Sequence, residues 1–447
     1  MFTYVKLKNF LSFGEVTFNF KKNANSAKSF VAIYGENGSG KSNFVRAFDL
    51  LLHTVTSFSG AAQAEKLKIA LKEDKNAPSA EILEKVFANA DIIQYISSCR
   101  TLDCEDPTEM EYGFLLNGYE GVYKLSFASD FNSESLYYLA GKQRGYLYNI
   151  TSNHSGKIDQ KFWSGLFLTD KAKEEAKEEI AKYWGKHTFL GIIFNQINER
   201  NYSYIESSLS KNILDVLSTL LDTTVISKQS NRSNSVFLSG KPNNLLNDLK
   251  SGKIAIKDLP QLDRSERIIR DFFTQTYADI KDISYEKEYL EDGIKYQLFV
   301  DKMIAGKVRH VNFDNESAGT QQILDIVKML LGLFCGITVV YDEIDTGIHD
   351  ILLNQIINSL VEEISGQLII TTHNTMLLEF IDTKSAYVIQ TDYLGNKEAK
   401  CFDEFPIQNN NNARIRYLKG LLGGTPFVDG IDYDAIKEEI DESKGNK

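Results

Sequence analysis

Residues 35–44 read GENGSGKSNF and directly follow the apolar run SFVAIY. Gly35, Gly40, Lys41 and Ser42 have the spacing of a P-loop, in which a glycine and four residues precede Gly-Lys-Ser. Glycines let successive backbone N–H groups converge on phosphate oxygens, and the start of a helix favours their negative charge. The stretch therefore predicts a phosphate-binding loop, and the alternative is an ordinary glycine turn beside a solvated lysine.

The residues on both sides of this loop favour the first interpretation. Phe30–Tyr34 reads as a buried strand. Apolar residues recur at helical spacing after the loop, at Phe44, Ala47, Phe48 and Leu51. We expect Lys41 to reach the β- and γ-phosphates and Ser42 to hold Mg²⁺. The predicted nucleotide-binding residues are Gly35, Glu36, Asn37, Gly38, Ser39, Gly40, Lys41, Ser42 and Asn43.

A second buried strand supplies the acid that P-loop chemistry requires. Gly336–Glu343 reads GITVVYDE, an apolar and β-rich run that ends in two carboxylates. We expect Asp342 to hold Mg²⁺ through the water shell of the ion. Glu343 is the predicted catalytic base, which accepts a proton from the attacking water. Two acids at the end of a strand also arise by chance, and the P-loop is what makes this pair informative.

Two further stretches carry candidate site residues. The strand QLIITT at 367–372 ends just before His373, at the edge where ligands of α/β sheets bind. A capping histidine in a turn is the alternative for a lone His. Upstream, ESAGTQQILDIVKML places Ser317, Gly319 and Thr320 at the start of a long apolar helix. That turn adds a second helix N-terminus that is rich in N–H and hydroxyl donors.

The chain as a whole has the composition of a soluble globular protein. Its 447 residues are 43% hydrophobic and 25% charged, with a net charge of −11. This acidity counts against a protein that coats nucleic acid over its whole surface, although a local basic groove stays open. The 4 cysteines have no zinc or redox spacing, and the apolar region 326–341 is too interrupted for a membrane span. We expect a cytoplasmic protein with no membrane partner.

The chain divides into three predicted parts. Residues 1–154 form an N-terminal lobe with the P-loop and a hairpin at Asn117-Gly118. Residues 155–290 form a mostly helical insertion or arm, and residues 291–447 form a C-terminal lobe with a polar linker, QNNNN, and a tail. Three arginines of the arm share one predicted helix face: Arg264, Arg267 and Arg270. A solvated face is favoured there over a contact with nucleic acid or protein.

Together these motifs resemble those of the ABC-type ATPases. The sequence is similar in particular to the soluble AAA15 or AAA21 group of bacterial ATPases, relatives of the RecF, Rad50 and SMC proteins. The resemblance covers about 1–150 and 295–430 and includes the tail RYLKGLLGGTPF. It rests on the P-loop followed by Ser317-Ala318-Gly319-Thr320, Asp342-Glu343-Ile344-Asp345 with His349, and Thr371-Thr372-His373. It implies an α/β fold, an ABC-type P-loop ATPase head of mixed sheets and flanking helices with a mostly helical insertion.

The resemblance also implies roles for single residues. Ser317, Gly319 and Thr320 match the signature motif, which contacts the γ-phosphate of ATP bound to the other subunit. Two chains would thus enclose two ATP molecules, with Asp345 as the D-loop residue at that interface and His373 as the switch histidine. The signature here reads SAGT and departs from the Ser-Gly-Gly core of the family. The Q-loop glutamine stays open between two candidates, Gln196 and Gln94.

The function that the resemblance implies is an ATP-binding and ATP-hydrolysing switch with ATP and Mg²⁺ as cofactors. Its nucleotide-dependent homodimer, or a higher oligomer, would control a separate effector such as a nuclease or toxin in anti-phage defence. The alternative is a RecF- or SMC-like ATPase that binds DNA in repair or recombination. A degenerate scaffold is disfavoured because the predicted catalytic set is intact: Lys41, Glu343 and His373, with Asp342 as metal ligand.

Overall fold

A computed structural model describes residues 1–72, 92–141, 144–153, 156–200, 202–227, 248–406, 412–426, 430–437 and 440. Most of the predicted linker QNNNN and the predicted boundary at residue 154 lie outside these ranges. Within them the chain is an α/β protein with several sheets and flanking helices, which confirms the predicted fold class. No helix in the described ranges is long and apolar enough to cross a membrane.

The described strands, in chain order, are β1 (Phe2–Phe10), β2 (Phe13–Asn19), β3 (Lys21–Asn23), β4 (Ser26–Ala27), β5 (Phe30–Tyr34), β6 (Thr108–Leu116), β7 (Tyr119–Phe127), β8 (Phe131–Tyr137), β9 (Tyr146–Ser152), β10 (Ile158–Phe162), β11 (Thr223–Ile226), β12 (Ser251–Ile254), β13 (Ile280–Leu290), β14 (Gly293–Ile304), β15 (Lys307–Asn312), β16 (Thr338–Tyr341), β17 (Gln367–Thr371), β18 (Ala386–Thr391) and β19 (Lys397–Cys401).

The described α-helices are α1 (Lys41–Lys72), α2 (Ile92–Ser98), α3 (Asp170–Tyr183), α4 (Phe189–Glu199), α5 (Tyr202–Ser208), α6 (Lys211–Leu221), α7 (Leu259–Thr276), α8 (Ala318–Phe334), α9 (Asp350–Leu360) and α10 (Ala413–Leu418).

The six-stranded sheet positions the predicted site. Its strand order is β11-β16-β17-β5-β18-β19, and the first five strands run parallel. All five residues of β5 and all five of β17 are buried, as is typical of central strands covered on both faces. The carboxyl ends of β5, β16 and β17 therefore meet at one edge, which is where the P-loop, the acid pair and His373 follow.

A seven-stranded antiparallel sheet covers the other side of α1. Its order is β10-β9-β8-β7-β6-β1-β2. The rings of Phe44 and Phe48 on α1 pack against Phe18 at 4.4 Å and Phe2 at 5.0 Å. The predicted hairpin at Asn117-Gly118 is confirmed, since both turn residues have positive φ, 52° and 79°, as a tight two-residue hairpin requires. This sheet fixes the helix that carries Lys41 and Ser42.

The range 155–290 contributes helices and also strands that belong to the head. α4 packs on α1, where the Thr188 hydroxyl donates to the Thr54 carbonyl at 3.0 Å. The buried carboxylate of Glu134 on β8 accepts from the N–H groups of Phe189 and Leu190, and so joins the start of α4 to the seven-stranded sheet. β11 pairs with β16 in the six-stranded sheet. The boundaries at 154 and 290 stay a prediction.

A four-stranded sheet joins β12, β13, β14 and β15 and packs against α7, and β3 and β4 form a two-stranded sheet. Only part of the predicted arginine face is exposed. Arg264 and Arg267 are exposed, whereas Arg270 donates from Nε to Asp282 at 2.5 Å and from Nη2 to Glu266 at 3.2 Å. The arginines of α7 therefore present two exposed positive charges and one that is paired within the chain.

Candidate nucleotide-binding site

The P-loop connects β5 to α1, and two of its residues must be glycine. Gly38 and Gly40 have φ of +81° and +109°, a left-handed conformation that favours glycine. A Cβ atom on Gly40 would also lie 2.7 Å from a ring carbon of Phe13 on β2. The sequence motif is therefore matched by the backbone conformation that it predicts.

The side chain of Lys41 is folded back into the loop. Its Nζ donates to the carbonyl of Gly35 at 2.7 Å and to that of Glu36 at 3.0 Å. Burial lowers the pKa of Lys41, and the nearby carboxylates of Glu343 and Asp342 oppose that shift. A phosphate oxygen is a stronger acceptor for an ammonium group than a carbonyl, so the loop holds a cation that a phosphate would attract.

Ser42 and Asp342 form the pair that Mg²⁺ would need. The Ser42 hydroxyl lies near enough to the Asp342 carboxylate to favour its ionised form. Burial raises the pKa of Asp342, while the hydrogen bond from Thr371, the nearby Ser42 hydroxyl and the charge of Lys41 lower that pKa. A hydroxyl and a carboxylate at the end of neighbouring elements are the protein ligands that Mg²⁺ takes beside phosphate oxygens.

Thr371 holds both acids in place. Its hydroxyl donates to Asp342 Oδ1 at 2.6 Å and accepts from the backbone N–H of Glu343 at 2.8 Å. Glu343 has φ of +50°, which is uncommon for a residue other than glycine and is typical of functional sites. Thr371 is fully buried at the end of β17. Sequence analysis assigned it no role, although it lies two residues before His373.

His373 and Asp345 meet at the same edge. The backbone N–H of His373 donates to Asp345 Oδ2 at 3.1 Å. Burial lowers the pKa of His373, and the charge of Lys41 lowers it further, so its imidazole is neutral near pH 7. The other carboxylate oxygen, Asp345 Oδ1, is buried and has no hydrogen-bond partner in the described part of the chain. The structure thus brings Lys41, Asp342, Glu343, Asp345 and His373 together.

The signature residues form a separate turn beside the D-loop. Ser317 Oγ accepts from the backbone N–H of Thr320 at 3.1 Å and caps α8. A Cβ atom on Gly319 would overlap the carbonyl oxygen of Gly347, two residues after Asp345. The side-chain hydrogen bonds of Ser317 and Thr320 within the described residues join these two residues to each other, not to the P-loop. Within one chain the signature therefore contacts the D-loop segment.

The other side chains near the loop complete its surroundings. Asn43 Nδ2 donates to Ser12 Oγ at 2.7 Å, and Lys397 Nζ donates to both Ser12 Oγ and the Gly38 carbonyl at 2.7 Å. Sequence analysis missed Ser12 and Lys397, since neither lies in a recognised motif. Of the two Q-loop candidates, Gln196 donates its amide to Glu179 on α3 at 2.7 Å, and Gln94 is exposed on α2.

A Mg²⁺–nucleoside triphosphate fits this donor set. Ser39 Oγ is buried inside the loop without a hydrogen-bond partner in the described residues. The N–H groups at the start of α1 and the ammonium of Lys41 are donors suited to phosphate oxygens. Ser42 and Asp342 would hold the metal, and Glu343 follows directly as a carboxylate that can accept a proton.

Solved structures that are similar to the chain include three SMC head domains. The SMC head domain from Thermotoga maritima is 14% identical with a TM-score of 0.36, and the match covers 90% of this chain and 98% of that one. The SmcHead bound to the C-winged helix domain of ScpA is 16% identical with a TM-score of 0.39, covering 89% and 96%. The Smc head domain with an extended coiled coil bound to the C-terminal domain of ScpA, derived from Pyrococcus furiosus, is 15% identical with a TM-score of 0.41, covering 89% and 95%.

No curated protein matches the chain. The family model described as AAA ATPase domain, AAA_15, matches residues 1–378. This range contains the P-loop, the signature turn, the acid pair and His373. The predicted relationship to the AAA15 group is thereby confirmed, and the chain belongs to the AAA_15 family of AAA ATPase domains.

Proposed function

We propose that this chain is an ATP-hydrolysing switch whose Mg²⁺·ATP form is a homodimer with two composite sites. One observation carries the proposal: Thr371 joins Asp342, the metal ligand paired with Ser42, to Glu343, the base that follows it. This arrangement lies beside Lys41 at the end of the P-loop strand. It supports both binding of the triphosphate and activation of a water molecule.

Each residue of the proposed site has a separate role in hydrolysis. Lys41 binds and orients the β- and γ-phosphates, after exchanging its bonds to the loop carbonyls for phosphate oxygens. Mg²⁺, held by Ser42 and Asp342, supplies charge neutralisation when it is bound. Glu343 takes the proton from the attacking water. The neutral imidazole of His373 is available as a donor or acceptor toward the γ-phosphate.

The geometry of the signature turn supports a nucleotide site to which a second chain contributes. Ser317 and Thr320 hydrogen-bond locally, and Gly319 packs against Gly347 of the D-loop segment. Signature and D-loop therefore form one surface, which we propose faces the P-loop of the other protomer.

The proposal also covers the effector that the switch controls. The resemblance to the soluble bacterial ATPases supports control of a separate nuclease or toxin in anti-phage defence, in the cytoplasm. In the described part of the arm, Arg264 and Arg267 are exposed but Arg270 is paired with Asp282 and Glu266, and the net charge of −11 counts against the RecF-like alternative. We therefore favour a protein effector over DNA.

A single substitution tests this function. In Glu343→Gln, ATP binding should remain, phosphate release should fall to background, and light scattering should detect a dimer with ATP but not with ADP. Glu362→Gln, an exposed acid of the same lobe, is the matched control and should behave as wild type. Unchanged hydrolysis in Glu343→Gln would contradict the role of Glu343 as the base. A variant that stays monomeric with ATP would contradict the proposed dimer.

A further inference from the structure

The C-terminal segment 413–424 has no role in the proposed hydrolysis. It contains α10 and the turn GLLGG, and it docks on the strand that leads into the P-loop. The ring of Tyr417 lies 5.5 Å from that of Tyr34, the last residue of β5, and both rings are buried. The segment is therefore part of the same core as the P-loop strand.

The hydroxyl of Tyr417 fixes the glycine that lies against the first glycine of the loop. It donates to the carbonyl of Gly424 at 2.9 Å, and Gly424 packs against the Cα of Gly35. The carbonyl of Gly35 is the group that accepts from Lys41 Nζ at 2.7 Å. Gly35 is thus in contact with the C-terminal segment and is held at its carbonyl by the phosphate-binding lysine.

The turn after α10 is shaped for this close approach. A Cβ atom on Gly424, which has φ of +65°, would overlap Val388 and would lie 3.4 Å from the Cα of Gly35. Gln390 on β18 donates its amide to the carbonyl of Leu422 at 2.8 Å, and Leu422 is buried. The segment is therefore held against the P-loop by backbone contacts that larger residues would prevent.

We propose that the C-terminal segment is a positioning element of the nucleotide site, in which Tyr417, through Gly424, holds Gly35 and the loop in the conformation that binds phosphate. The inference rests on the proposed ATP binding and adds to it a thermodynamic link. If the segment loosens, the binding-competent loop is only fractionally populated, and the apparent Kd for nucleotide rises by that fraction. By reciprocity, bound nucleotide holds the segment in place.

Tyr417→Phe tests this link, because it removes the hydroxyl and keeps the buried ring. We expect the Kd for ATP and for ADP to rise about fivefold to tenfold, as loss of one hydrogen bond implies, with kcat at saturating ATP within about twofold of wild type. Gly424→Ala should act in the same direction. The matched controls are Tyr433→Phe, whose ring is exposed, and Gly430→Ala, which has φ of +90° and no atom within 4 Å of an added Cβ.

The outcomes separate the two proposals. If wild type binds ATP and folded Tyr417→Phe binds it equally well, the positioning role is wrong and the ATPase proposal stands. An equal fall in kcat and rise in KM would also overturn it, since that result indicates general damage to the site. A wild-type chain that binds no ATP would overturn the proposed function and this inference with it.

Discussion

Replacing Thr371 by valine removes one hydroxyl from between the two acids and keeps the shape of a fully buried side chain. Two hydrogen bonds are lost, the one to the Asp342 carboxylate at 2.6 Å and the one from the Glu343 N–H at 2.8 Å. A hydrogen bond to a charged group contributes about 1.5–3 kcal/mol. If that free energy orders the metal ligand and the base for reaction, kcat should fall about 10- to 150-fold.

The pH dependence should change with it. The Thr371 hydroxyl stabilises ionised Asp342, so its loss raises further a pKa that burial already raises. Mg²⁺ requires the ionised carboxylate, and activity is therefore lost as the pH falls through this pKa. In Thr371→Val the acid limb of the kcat profile should move to higher pH. Lys41, Ser42 and Glu343 also face Asp342, and they are unchanged in this variant.

Phosphate release under saturating Mg²⁺·ATP is the assay, with nucleotide affinity and thermal unfolding measured alongside. Thr371→Ser keeps the hydroxyl and should retain most of the activity. Thr372→Val is the matched control, because Thr372 is also buried but its hydroxyl accepts from the Asn374 N–H instead of touching the acids. A folded Thr371→Val with kcat within about twofold of wild type and an unmoved acid limb would refute the reasoning.

Further predictions concern the signature, the core and the alternative function. Gly319→Ala should abolish hydrolysis without weakening ATP binding to the P-loop, because its Cβ would overlap the Gly347 carbonyl; Gly332→Ala on the same helix, where the nearest atom is at 3.5 Å, should be active. Glu134→Ala should destabilise the fold by about 3 kcal/mol or more in a denaturant titration, since the Tyr123 and Tyr148 hydroxyls and two N–H groups lose a buried acceptor; Glu134→Gln should lose less. Duplex DNA should not bind with a salt-sensitive affinity that ATP strengthens, and such binding would favour the RecF-like alternative.

The catalytic motifs could be predicted because each is short and lies at the end of a strand. Once β5, β16 and β17 are recognised as parallel strands, their carboxyl ends must share an edge. The P-loop, the acid pair and His373 are then neighbours without further information. Local sequence was sufficient for these positions.

The contacts between distant segments could not be predicted in this way. The role of Thr371 depends on the register of β16 and β17, which pairs Tyr341 with Ile370, and one residue of slippage would turn its hydroxyl to the other face. The place of β11 beside β16 depends on a pairing that its own four residues do not specify. Tertiary packing decides such contacts, and periodicity alone does not report them.

The composite site is the central claim, and a mixture of two inactive variants tests it most directly. Lys41→Ala should lose ATP binding at the P-loop. Ser317→Ala should lose the signature hydroxyl offered to the ATP of the other protomer, a hydroxyl that also caps α8 within its own chain. Mixed at equal amounts, half of the dimers contain one chain of each kind, and each of these has one intact site, so about a quarter of the wild-type rate should return. A mixture no more active than either variant alone would contradict the composite two-chain site.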